Sequence, residues 1–132
     1  MPHEYTFFLD RCLGKKYVAK MLEEEGESYT CLDDHFDQDT PDHEWLPETG
    51  KNGWVVLTKD QNIRRRKDEY LSLTEANNAV FVYTSGSSSG PDIAEAFKKA
   101  LPKINRILKK QKRPFIAKVT KSGNVELYAT KD

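Results

Sequence analysis

The run Trp54-Val55-Val56-Leu57 is apolar at every position, and Ala79-Val80-Phe81-Val82-Tyr83 repeats the pattern further along the chain. A strand with one wet face alternates apolar and polar residues. An unbroken run requires burial on both faces, as in a parallel sheet with helices on either side. Tyr5 to Asp10 supplies a third apolar, aromatic-rich strand. Two of these strands end in aspartate, at Leu9-Asp10 and at Leu57-Thr58-Lys59-Asp60. Ligands of open α/β sheets bind just beyond the carboxyl ends of the strands. These two carboxylates are therefore where function is sought first.

The intervening segments read as helices and connections. Tyr17, Val18, Met21 and Leu22 share a helical face, and Gly26 is a natural stop. Residues 28–32 predict a second strand, followed by an acidic loop from Asp33 to Thr40 that is too polar for the core. Thr40 suits a helix cap and Pro41 a first turn, which predicts a helix over 41–51 with Trp45 and Leu46 on its buried side. A basic helical segment is expected over 62–73, and a polar Gly/Ser connection over 84–90. A long amphipathic helix then runs from Pro91-Asp92 to about Lys110, where Pro102 should kink or interrupt it. Ser122-Gly123-Asn124 between two apolar runs signals a C-terminal hairpin. The sum is an α/β fold with a mainly parallel sheet. Two topologies compete: a three-layer α/β/α sandwich and a doubly wound α/β fold.

At 132 residues the chain is expected to form one domain over 1–132. Its 21 basic and 21 acidic side chains cancel, but they are not mixed. Residues 21–48 are acidic, whereas Arg64-Arg65-Arg66-Lys67 and the stretch from Lys98 to Lys121 are basic, so a basic approach surface can sit beside an acidic pocket. Cys12 and Cys31 lie in no CxxC pair and are read as reduced thiols. No run approaches the ~20 apolar residues of a membrane span. Glu4 and Asp10 break any signal-peptide core, so the cytoplasm is the expected location and no membrane partner is expected.

Asp42, in the first turn of the 41–51 helix, can join Asp10 and Asp60 at one sheet edge. Three carboxylates brought together repel one another, and a hard cation such as Mg²⁺ or Mn²⁺ relieves the conflict. Such an ion polarises a phosphate and lowers the pKa of a bound water. Each aspartate taken singly also reads as a cap or turn residue. Arg11 and Arg64 flank the proposed site and suit phosphate, while Asn62 can orient substrate. Arg65, Arg66 and Lys67 read equally well as ordinary surface charge. Glu44 and the group His35, His43, Asp34, Asp37 and Asp39 read better as solvated loop than as a metal site. No P-loop sequence is present.

The segments Phe7-Phe8-Leu9-Asp10-Arg11, Asp39-Thr40-Pro41-Asp42-His43-Glu44-Trp45-Leu46 and Gly53-Trp54-Val55-Val56-Leu57-Thr58-Lys59-Asp60 resemble the signature segments of short PIN-like proteins. These are related to the VapC-type toxins of toxin–antitoxin systems. The resemblance implies a three-layer α/β/α sandwich and an Mg²⁺- or Mn²⁺-binding acidic cluster of Asp10, Asp42 and Asp60. It further implies hydrolysis of RNA phosphodiester bonds and a protein antitoxin as partner, with the oligomeric state left open, a homodimer included. Asn62 stands where many PIN-like sequences carry a second Asp, and the family's fourth acid has no clear match. Two other readings remain at this point. One is a receiver-like module with Asp60 as phosphoacceptor and Thr84 and Lys118 following later strands. The other is a PIN-like binding module without catalysis.

Overall fold

The computed structural model describes residues 5–10, 13, 16–37, 40, 42–59, 78–84, 89–111, 113 and 115–130. Six strands form one sheet: β1 (Thr6–Leu9), β2 (Ser28–Cys31), β3 (Val55–Thr58), β4 (Ala79–Tyr83), β5 (Phe115–Val119) and β6 (Val125–Thr130). Their spatial order is β2-β1-β3-β4-β5-β6. All neighbours are parallel except β5 and β6, the expected antiparallel hairpin. Three helices accompany them among the described residues: α1 (Tyr17–Glu24), α2 (Asp42–Asn52) and α3 (Gly90–Lys110). The helix expected over 62–73 lies outside the described residues, as does most of the Gly/Ser connection.

Side chains alternate across the sheet and divide the core in two. Phe7, Leu9, Val55, Leu57, Phe81, Tyr83 and Phe115 pack with Val18, Met21 and Leu22 of α1 and Phe97, Ala100 and Ile104 of α3. On the opposite face Phe8, Val56, Val80, Val82 and Ile116 meet Trp45 of α2 and Leu32. The unbroken apolar runs of β3 and β4 follow directly, because both faces of these strands are covered.

α1 stops as its sequence predicts. Gly26 adopts φ 75°, and the amides of Gly26 and Glu27 donate to the carbonyls of Glu23 and Leu22, a Schellman arrangement. Tyr17 departs from the expected buried face. It is 41% exposed, and its ring lies against Gly90, where a Cβ would come within 2.3 Å. α3 begins at Ser89, whose hydroxyl accepts from the Asp92 amide.

Pro102 does not interrupt α3. The proline and Lys98, whose carbonyl loses its usual helical partner, are both exposed, so water can take the place of the lost bond. The acidic loop also differs from expectation. Phe36 packs against Phe8 (centroids 6.4 Å apart), and Leu32 is fully buried in a short 3₁₀ turn over Leu32–Asp34. A polar stretch can still anchor itself through its few apolar residues. No helix among the described residues is long and apolar enough to cross a membrane. Cys31 is buried and in no disulfide among them, while Cys12 lies outside.

Phe8 is the hub of the α2 face, 5.3 Å from the Trp45 ring and stacked on Trp54 at 5.4 Å. Trp45 is fully buried. The substitution Trp45→Ala should cost about 3–5 kcal/mol, read as a lower urea midpoint at unchanged slope. A loss below about 1 kcal/mol would contradict this packing, since it lies well under the range for such truncations.

Candidate active site

The chain leaves β1 toward β2 on one side and returns through α2 to β3 on the other. The carboxyl ends of β1 and β3 therefore flank a topological switch point, the usual ligand crevice of such sheets. Leu9 pairs with Leu57 in the ladder, and the Asp10 amide extends it by donating to the Leu57 carbonyl at 3.0 Å. One residue further along each chain, the Thr58 hydroxyl donates to Asp10 Oδ2 at 2.7 Å. Both side chains are buried, Asp10 at 5% exposure and Thr58 at 0%. The Leu13 amide closes the following turn onto the Asp10 carbonyl.

Strand parity says which way this pair faces. Asp10 follows Phe8 by two residues and Thr58 follows Val56 by two, so both continue the α2 side of the sheet. Trp45 holds α2 against Phe8 on that side, and Asp42 opens the same helix three residues earlier. For Asp42 only the backbone position is described. Asp60, Arg11, Asn62 and Arg64, together with Arg65, Arg66 and Lys67, lie outside the described residues.

Among the described residues no group of three His, Cys, Asp or Glu is placed to hold a metal. His35 is engaged otherwise: its Nε2 bonds the Thr30 hydroxyl at 2.8 Å, and its ring rests 4.8 Å from Trp54. Asp34 accepts from the Cys31 amide. Glu44 is exposed and lines an open depression of about 490 Å³ with Asp33, His35, Phe36, Asp37 and Thr40. These groups form a polar rim, as the loop composition implies.

Thr58 is the residue that reading the sequence missed. The segment Thr58-Lys59-Asp60 stands out for its aspartate, yet Thr58 is the side chain that contacts Asp10. The available signal was a hydroxyl ending an otherwise apolar buried strand.

A family model described as "PIN like domain" matches residues 5–85, more than half of the chain. The chain belongs to the PIN-like domain family. The Mycobacterium tuberculosis (strain ATCC 25618 / H37Rv) protein named "Putative ribonuclease VapC45" is 29% identical over 103 residues, covering 75% of each chain. No solved structure matches significantly. Family membership resolves the choice of topology, which strand order could not. The parallel order 2-1-3-4-5 is common to flavodoxin-like and receiver domains. The two receiver-like positions have local structural duties: the Thr84 hydroxyl donates to the Val119 carbonyl, and Lys118 pairs with Glu126 at 3.1 Å.

A buried carboxylate needs its hydrogen-bond donors, and bonds to charged groups contribute about 1.5–3 kcal/mol. Thr58→Val should therefore destabilise this PIN-like domain by about 1–3 kcal/mol near neutral pH, while Thr58→Ser keeps most of the stability. Chemical denaturation of the two variants provides the check. A loss in Thr58→Ser with none in Thr58→Val would show that the methyl group, not the hydroxyl, matters.

Proposed function

We propose that this protein is a metal-dependent endoribonuclease, the toxin of a type II toxin–antitoxin pair, hydrolysing RNA phosphodiester bonds at the carboxyl edge of β1 and β3. The observation that carries this reading is the buried Asp10 carboxylate at the switch point, bonded to Thr58 two residues before Asp60. The relative's name supports the substrate class.

Asp10, Asp42 and Asp60 would hold Mg²⁺ or Mn²⁺. The chemistry fits, because carboxylate oxygens are the hard donors these ions prefer. A carboxylate also offers about four lone-pair sites, so a hydrogen bond from Thr58 is compatible with ligation by Asp10. When bound, the cation supplies charge stabilisation at the phosphate and a water of lowered pKa. Thr58 fixes the Asp10 rotamer, so the ligand is positioned before the ion arrives. Arg11 and Arg64 would neutralise phosphate oxygens through charged hydrogen bonds, and Asn62 would orient the substrate. Attack by water on phosphorus breaks one P–O bond, and the departing ribose oxygen takes up a proton. The whole of 1–132 would act as one unit in the cytoplasm, with a protein antitoxin as partner.

Purified protein should cleave single-stranded RNA with Mg²⁺ or Mn²⁺ and stop in excess chelator. Asp10→Asn and Asp60→Asn should each lower the rate by about a hundredfold or more, with circular dichroism confirming that the variants fold. Cleavage that survives chelator, or that is unchanged in both folded variants, would overturn the mechanism. A stable phosphoryl adduct on Asp60 after incubation with a small phosphodonor would favour the receiver-like reading instead.

A further inference from the structure

The charges of this chain are sorted by position in the sheet. Residues 21–48 contain eleven Asp and Glu and no Lys or Arg, whereas residues 96–125 contain ten Lys and Arg and no Asp or Glu. The first segment includes edge strand β2, and the second includes most of α3 together with β5, next to the opposite edge strand β6. The basic segment also lies beyond residues 5–85, the part matched by the family model.

The β5–β6 turn gives this asymmetry a defined shape. Gly123 has φ 87°, and a Cβ there would come 2.5 Å from Lys99 Cβ, so the turn sits directly on α3. The turn is tied internally: the Asn124 amide donates to the Thr120 hydroxyl, and the Asn124 side chain to the Ser122 hydroxyl. Lys103 Nζ reaches Asn124 Oδ1 at 3.1 Å, with two further donors on the same ammonium. Lys99, Lys103 and Lys121 are all exposed around this turn. β5 runs parallel to β4, β3 and β1, so the turn lies at the same carboxyl edge of the sheet as Asp10, three strand spacings or about 14 Å along the sheet and on the α3 side, opposite the α2 side that Asp10 faces.

We propose that Lys99, Lys103 and Lys121 form a docking surface for the phosphate backbone of the RNA strand, which leaves the Asp10 site across β4 and β5 and not across β2. The proposal rests on the ribonuclease reading for the identity of the strand. Charge complementarity selects the occupant and the direction: a polyanion gains from the basic end and is repelled by the acidic one. The docked turn presents its cations at fixed spacing, which limits the ordering cost of binding.

The test is fluorescence anisotropy of a labelled mixed-sequence single-stranded oligoribonucleotide with Asp10→Asn protein over a range of salt concentrations. Wild-type protein in chelator serves as a second background. Binding is read without cleavage, so failure of the ribonuclease reading and failure of this proposal are separable. The triple substitution Lys99→Gln, Lys103→Gln and Lys121→Gln should weaken binding at least tenfold at 0.1 M salt, with an unchanged thermal midpoint. It should also reduce the slope of log K against log salt by about 2, at ~0.7 per lost phosphate contact on a single strand. An unchanged slope and affinity would overturn the proposal. So would a change of oligomeric state with RNA binding intact, which would assign the surface to protein contact.

Discussion

Pairing β1 with β3 in parallel brings Leu9 against Leu57, and just beyond that pair Asp10 is bonded to Thr58, both buried. The position of the candidate site follows from this register. Because side chains alternate along a strand, a slip of β1 by one residue against β3 would turn Phe8 away from α2 and carry Asp10 to the face opposite Thr58. The unbroken apolar sequence of β3 does not by itself choose a register. The aromatic contacts of Phe8 do, because Trp45, Trp54 and Phe36 surround it on one side only. Core packing and site geometry are thus set by the same residues.

A buried carboxylate is a poor investment for stability alone. Its desolvation opposes folding, and hydrogen bonds such as the one from Thr58 work against that cost. The arrangement makes sense where the charge has a later use, since a ligand held in a low-dielectric crevice acts on a cation or phosphate more strongly than one in water. The polar rim formed by the exposed Asp37 and Glu44 is different in kind. These groups face an open depression, where water screens them.

Much of the architecture was legible because burial on two faces leaves a direct mark on sequence. The apolar runs of β3 and β4, the helical stripe of α3 from Ile93 to Leu108 and the Ser122-Gly123-Asn124 turn each specify their element locally. What escaped notice depends on contacts distant in sequence. Tyr17 is apolar by composition but lies exposed against Gly90, and Phe36 enters the core from an acidic loop. Pro102 ought to break a helix on local rules, yet its exposed position makes the lost bond tolerable. Thr58 could be recognised as a partner only once β1 and β3 were known to be direct neighbours.

The acidic segment 21–48 includes β2 and the basic segment 96–125 includes β5, so the two lie on opposite sides of the switch point even though the net charge is zero. The proposed mechanism requires Asp10 to be a cation ligand and not merely a buried turn residue. Titration calorimetry with Mn²⁺ addresses this without reference to RNA. The intact protein should show a saturable site that is absent from folded Asp10→Asn protein. No binding to the intact protein, or the same site in the variant, would contradict the account.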